Sequence, residues 1–205
     1  MSTDIEYLLE HRVSANHFDP DHTLGAPQIA RLVDLATRAP TAFNLQNWHF
    51  VAVHSAEAKS ALLPLCYGQQ KVADAAVTFV VCGTLDAHRQ LAGTLRPAVD
   101  AGIVPPSTAA QWTALAGSAL DDRPRAQRDE AIRSASLAAM TLMLAAQGMG
   151  LASCPMTGFD VEGVRQALAL DAHTLPVLLV SVGRPTPGNW PQKPRKPIRQ
   201  VLTLV

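Results

Sequence analysis

Two short basic segments stand near opposite ends of the chain: Arg12-Val13-Ser14, with Asn16 just beyond, and Lys193-Pro194-Arg195. In extended backbone, residues two apart point the same way, so Arg12 and Ser14 share a side, as do Lys193 and Arg195. A guanidinium beside a hydroxyl makes an anion cradle, and arginine's planar fork suits phosphate. Two further cations converging on Arg12 would neutralise a dianionic phosphate. Each segment alone also fits a plainer role: a solvent-facing helix end for the first, a basic surface tail for the second. Lys71, after Gln69 and Gln70, is one more isolated cation, which taken alone fits a solvated surface residue.

Between them lies a polar loop, Pro40 to Asn47, holding Thr41, Ala42, Asn44 and Gln46. Amides and hydroxyls in a loop often bond only their own backbone. The same groups would also serve a planar heterocycle with several donors and acceptors, such as a flavin or pterin ring. A second such segment is Cys154-Pro155-Met156-Thr157-Gly158, where glycine permits close backbone approach to a ligand. Cys154 has no second cysteine or cation near it in sequence, so an inert buried thiol is expected. Trp48, His49 and Phe50 are expected as core side chains of the strand after the loop. The chain has no GxGxxG after a strand, no GxxxxGK[ST] and no GxSxG. Its seven histidines make no HExxH and its cysteines no CxxC, so no dedicated metal site is expected.

The elements that must hold these groups follow from hydrophobic pattern. Helices are expected from Ile5 to His11, from after Pro27 to a stop near Ala39-Pro40, and after an N-cap at Ser55 through Leu65. Leu85 to Ala98 and Ser107 to Leu120 also look helical, and residues 84–125 form a region suited to a cap. A long helix is expected from Arg128 to Met149, with Gly150 as its stop. A last helix, capped by Asp160, is expected to end at Leu168. Strands are expected at Trp48–His54, at Ala75–Cys82, which is apolar throughout and therefore central, and at Val177–Val182. Residues 184–205 read as an extended arm with five prolines between Arg184 and Pro197, ending in a strand at Val201–Val205. Such an arm could join the sheet edge of a partner. The interleaving implies one α+β or mixed α/β domain over 1–205.

Lysine plus arginine and aspartate plus glutamate number 17 each, giving zero net charge. That balance argues against a nucleic-acid partner, which needs surplus cations. Only 17% of residues are charged while 48% are hydrophobic, against about 25% charged in an average domain. A sizeable subunit interface would account for the difference. The eighteen uncharged residues from Ser134 to Leu151 are diluted by serine, glycine and alanine; a buried helix is expected there, not a membrane span. Met1 to Tyr7 shows no basic region followed by an apolar run, so no leader is expected. Three scattered cysteines suit a reducing compartment, and the cytoplasm is the expected location.

Taken in order, Arg12-x-Ser14, the Pro40–Gln46 loop, Lys71 before Ala73-Asp74-Ala75, Pro155–Gly158 and Lys193-x-Arg195 resemble the FMN-dependent nitroreductase family over nearly the whole chain. The resemblance implies that Arg12, Val13, Ser14 and Asn16 hold the phosphate and ribityl chain of FMN, with Lys193 and Arg195 closing on the phosphate. It implies that Lys71 reaches the flavin's pyrimidine edge, and that Pro155, Met156, Thr157 and Gly158 lie against the ring, with the Gly158 amide facing N5. Pro40, Thr41, Ala42, Asn44 and Gln46 would come from the neighbouring subunit. The implied fold is α+β in three α/β/α layers, a central, mostly antiparallel sheet flanked by helices, in a homodimer with domain-swapped C-terminal arms. Three positions depart from the pattern: some relatives have a glutamate at Thr157, a lysine or arginine at Asn16, and an asparagine at Gly68. These leave the substrate side of the site less defined than the phosphate side.

The implied activity is NAD(P)H-dependent reduction of nitroaromatic, quinone or related small electrophiles. FMN would carry the hydride chemistry, with the protein supplying orientation, electrostatics and shielding. Reductant and oxidant would then use the site in turn, giving ping-pong kinetics. No side chain is expected to be an indispensable acid or base; Lys71 and Gly158 would lend support at the ring. The alternative from another class is a flavin- or small-molecule-binding dimer without turnover.

Overall fold

The computed structural model describes residues 4–205; residues 1–3, part of the stretch read for a leader, lie outside the described residues. Four strands, β1 (Trp48–Val53), β2 (Val77–Thr84), β3 (Ala152–Met156) and β4 (Thr174–Gly183), form one sheet of order β1-β2-β4-β3. All three pairings are antiparallel. The apolar run of β2 is central, as expected, and buried on both faces. Alternation sends Val77, Phe79 and Val81 to one face and Val80 and Cys82 to the other.

The first face is covered by α2 (Ala26–Ala36) and α7 (Pro124–Gly148), whose Leu32, Ala135, Ala139 and Leu142 pack on it. The second is covered by α3 (Ala56–Leu65), the short α4 (Lys71–Asp74) and α8 (Val161–Ala167), through Leu62, Val72 and Val164. Helix, sheet and helix therefore make three layers. Alanines let α7 approach closely: the Ala131 carbonyl lies where a Cβ on Gly83 would meet it at 2.5 Å. Among the described residues no helix is long and apolar enough to cross a membrane.

Several boundaries differ from expectation. Helix α7 starts at Pro124, four residues before Arg128, because proline is favoured in the first helical turn. Helix α2 begins at Ala26, with Pro27 inside its first turn and the Gln28 side chain accepting the Gly25 N–H, and it ends at Ala36. Strand β3 was not expected, since Ser153 and Pro155 interrupt its pattern; at a sheet edge, proline's missing donor costs nothing. The expected caps form: Ser55 accepts from the Ala58 N–H and Asp160 from the Gly163 N–H. No strand forms at Val201–Val205; a short 3-10 turn at Ile198–Gln200 precedes an exposed tail. A lone terminal strand has nothing to pair with in its own chain, and backbone donors then turn to water. His49 is exposed and Trp48 and Phe50 only half-buried, because β1 is an edge strand.

Residues 85–123 carry a 3-10 turn and two helices, α5 (Leu91–Asp100) and α6 (Pro106–Leu120). They build a small core of their own, in which Leu91, Leu95, Ala116 and Leu120 enclose Leu45 from the polar loop. Phe43 and Trp112 lie half-buried against it.

Candidate functional site

After α1 (Asp4–His11) the chain runs extended beside the edge strand β3: Ser14 bridges Ser153, and the Ala15 N–H donates to the Ser153 carbonyl at 3.0 Å. The start of the C-terminal arm lies along the same segment. Phe18 bridges Pro185, the Asp19 N–H donates to the Arg184 carbonyl, and the Thr186 N–H donates to the His17 carbonyl. The Gln192 amide then donates to the carbonyls of Leu9 and Arg12.

The two basic segments thereby meet. Arg12, Val13, Ser14, Lys193 and Arg195, with Pro191 and Gln192, line a cavity of about 130 Å³. Within it the Arg12 Nη1 is buried and has no hydrogen-bond partner. The Lys193 ammonium rests over the Trp190 ring, 5.0 Å from its centroid, a cation–π contact that leaves its charge available. Arg195 Nη1 donates to the Lys193 carbonyl at 2.6 Å. No carboxylate pairs with Arg12, Lys71, Lys193 or Arg195 among the described residues. Converging cations without a carboxylate partner and an orphaned buried guanidinium donor make an arrangement chemically suited to an anion.

Next to this pocket, at the start of α4, Lys71 donates to the Asn16 side-chain carbonyl at 2.9 Å. Beneath them Cys154 is buried, which pushes its thiol pKa up, while the charges of Lys71, Arg12 and Lys193 pull it down. Burial prevails, so the thiol stays protonated, as an inert cysteine should. A cation does stand beside it, however: Lys71, distant in sequence, arrives by way of the sheet. Beyond β3, Thr157 and Gly158 are exposed, whereas the Met156 side chain points into the core and offers only its backbone. The Gln69 amide donates to the Gly158 carbonyl at 2.8 Å and to the Cys66 carbonyl at 3.1 Å, fixing the glycine's peptide plane. Gly68 sits at φ 69°, a region open to glycine and asparagine, so the glycine–asparagine exchange there needs no backbone change.

One predicted group is not brought to the rest. The loop with Pro40, Thr41, Ala42, Asn44 and Gln46 packs toward α5 and α6 through Leu45. Among the described residues no hydrogen bond joins it to Arg12–Asn16, Lys71 or Pro155–Gly158. It is nonetheless shaped in advance. Phe43, Asn44 and Gln46 all hold left-handed φ values of 52°, 58° and 49°, a region asparagine visits readily but one strained for phenylalanine and glutamine. Thr41 Oγ1 accepts the Gln46 N–H, and Asn44 and Leu45 N–H groups close tight turns on Thr41 and Ala42. Pro40, Ala42, Asn44 and Gln46 are exposed. Sequence reading assigned no role to Gln69, Asn189, Trp190 or Gln192; the amides among them are uncharged and lie outside any periodic element.

Fold and site together define a three-layer α+β protein with a cation-lined cavity where its two basic segments meet. The chain belongs to the nitroreductase family: that family's model matches residues 9–184. It is 32% identical over 197 residues to YodC of Bacillus subtilis, named as a candidate NAD(P)H nitroreductase, covering 96% of each chain. It is 31% identical over 175 residues to a protein named NADH dehydrogenase from Thermus thermophilus, covering 85% of this chain and 83% of that one. Among solved structures, a nitroreductase-type protein of Exiguobacterium sibiricum in complex with FMN superposes with a TM-score of 0.92 at 26% identity, over 100% of this chain and 99% of that one.

Proposed function

We propose that this chain is an FMN-dependent oxidoreductase that uses NAD(P)H to reduce nitroaromatic, quinone or related small electrophiles, with ping-pong kinetics, as a cytoplasmic homodimer. The observation that carries the reading is the buried, unpartnered Arg12 Nη1 in a cavity shared with Ser14, Lys193 and Arg195. These residues fit a phosphate monoester: cations and a hydroxyl around a space with no carboxylate in it. Bound there, FMN would supply the two-electron transfer between a nicotinamide and an electrophile.

The chain's own residues would hold, orient and shield. Arg12, Val13, Ser14, Lys193 and Arg195 would take the phosphate end, and Asn16 with Lys71 the polar edge of the ring. Lys71, steadied by Asn16, would favour negative charge arriving there. Pro155, Met156, Thr157 and Gly158 would form the wall, with the Gly158 peptide held by Gln69. The Pro40–Gln46 loop, exposed and turned away from these groups, would serve a second copy's site, and residues 84–125 would cap it.

Dimerisation is supported by apolar surface. Ile5 and Leu9 on α1, Leu137 on α7 and Met149 just after it are exposed, and an apolar hollow of about 600 Å³ runs between Ile5, Leu35 and Met149. The tail exposes Ile198, Val201, Leu202 and Leu204, a patch of the kind that marks an interface. Free, buried thiols at Cys66, Cys82 and Cys154 suit a reducing compartment.

The test is the absorbance spectrum of the purified protein, followed by anaerobic titration with NADPH and then NADH. The reading requires bound flavin that at least one of them bleaches and that a quinone or nitroarene restores. A colourless protein that refuses FMN ends it; flavin that neither nucleotide bleaches favours a binding dimer without turnover. Light scattering on a chain lacking residues 197–205 tests the tail's part in the dimer, which should dissociate more readily than the full chain.

A further inference from the structure

We infer that Asn189 is a positioning residue of the anion site: its side-chain amide locks the C-terminal arm onto the Arg12–His17 segment of the same chain and so sets Lys193 and Arg195 opposite Arg12. The inference rests on the phosphate reading above.

Asn189 Oδ1 accepts from the backbone N–H of Asn16 at 2.6 Å and of His17 at 3.0 Å. Its Nδ2 donates to the carbonyls of His17 at 2.9 Å and Thr186 at 3.0 Å. Both acceptor sites and both donors of the amide are used, which only asparagine or a longer amide can do. Its partners also fix its orientation, because N–H groups face one end and carbonyls the other. The preceding Gly188 holds φ 99°, a conformation that lets the chain turn the amide inward and that L side chains rarely adopt.

This amide is the last firmly built anchor before the cations. Thr186 and Asn189 are half-buried, Trp190 is 62% exposed, and every residue from Pro191 onward is exposed. Between Asn189 and Arg195 the Gln192 donors to Leu9 and Arg12 add two longer bonds, at 3.2 and 3.3 Å. Asn189 does not line the cation cavity, so its effect on an anion runs through the backbone it holds. Four neutral hydrogen bonds to the Asn16–His17 backbone and to the arm therefore fix where two exposed cations stand.

The experiment compares FMN with riboflavin, which lacks the phosphate, on flavin-free full-length protein by fluorescence titration. Wild type should prefer FMN strongly. Asn189→Ala should lose on the order of tenfold or more of that preference, about 1.4 kcal/mol per tenfold, while riboflavin affinity stays within about twofold. Asn189→Ser, which adds no charge and keeps one short donor and acceptor, should lose less; its riboflavin binding also reports a folded site should the alanine variant fail to fold. Undiminished FMN preference in both variants overturns the inference, and so does an equal fall for FMN and riboflavin, which would mark a merely structural tether. A wild-type protein that binds FMN no better than riboflavin overturns the phosphate reading first and this inference with it.

Discussion

Arg12→Ala should move ligand affinity and fold stability in different directions. In the ligand-free chain the buried Nη1 has no hydrogen-bond partner, and an unsatisfied buried donor costs about 1–3 kcal/mol. Truncation removes that penalty together with some packing by the aliphatic stem. The two terms are of similar size and opposite sign, so the apo melting temperature should stay within about 3 °C of wild type or rise, at roughly 2–4 °C per kcal/mol for a chain this long. Affinity has no such offset. A hydrogen bond to a charged group is worth about 1.5–3 kcal/mol, so FMN should bind about 10- to 150-fold more weakly. Riboflavin should be nearly indifferent. Arg12→Lys keeps the charge but not the fork and should fall between. Thermal unfolding of flavin-free protein and paired titrations with the two flavins measure both quantities. The reasoning is refuted if Arg12→Ala melts many degrees lower while still distinguishing FMN from riboflavin, since Arg12 would then be a structural residue and not a ligand.

Two further outcomes concern the frame that carries the site. Gly83→Ala should lower the melting temperature by several degrees, because a Cβ there meets the Ala131 carbonyl oxygen at 2.5 Å and its carbon at 2.7 Å, and overpacking against backbone costs about 1–3 kcal/mol or more; an unchanged melt would mean that α7 shifts freely off the sheet. Stability should also fall in mild alkali. Burial raises the Cys66 and Cys82 thiols from 9.0 to about 11 and about 12. The folded state then holds protons that the unfolded chain has released, so stability is flat below about pH 8 and declines above it, by roughly 1.5 kcal/mol for the pair by about pH 9.5. The lowered pKa of Lys59, also from burial, acts in the opposite sense below the lysine's ordinary 10.5. Denaturant titrations across this range check the slope, which Cys82→Ala should flatten.

What could be read from the sequence follows a physical line. β2 was legible because both of its faces are buried, which leaves eight residues with almost no polar interruption. β3 was not, because an edge strand tolerates Ser153 and Pro155. The cations of the site were legible because charge is rare in this chain and these residues sit in extended segments where spacing of two means one side. Lys71 beside Cys154 was not, because only the crossing of α4 over the sheet joins residues 83 positions apart. The tail strand does not form within the single chain: Val201–Val205 has a strand's composition, but a strand is a property of a pair of chains or segments, and no described segment of the same chain lies beside it. Asn189 and Gln192 carry no periodicity or charge, and their importance lies wholly in what the fold sets opposite them.

The chemistry of those two amides explains why such residues do the fastening. An arm held down by ion pairs through Lys193 or Arg195 would arrive with its charges already neutralised, and a phosphate would have to displace a carboxylate before binding. Here the one ion pair at the arm among the described residues, Arg184 with Asp19 at 3.3 Å, lies at its root, nine residues before Lys193. Everything nearer the cavity is neutral: the Asn189 amide, the Gln192 amide and the face of Trp190. Neutral hydrogen bonds are insensitive to salt, whereas the attraction of a dianion to three cations is screened within about 10 Å at moderate ionic strength. Raising salt should therefore weaken FMN binding while leaving riboflavin binding, and the docking of the arm itself, almost unchanged. If both flavins weakened together with salt, the arm would have to be held by charge after all, and the cations would not be free for a ligand.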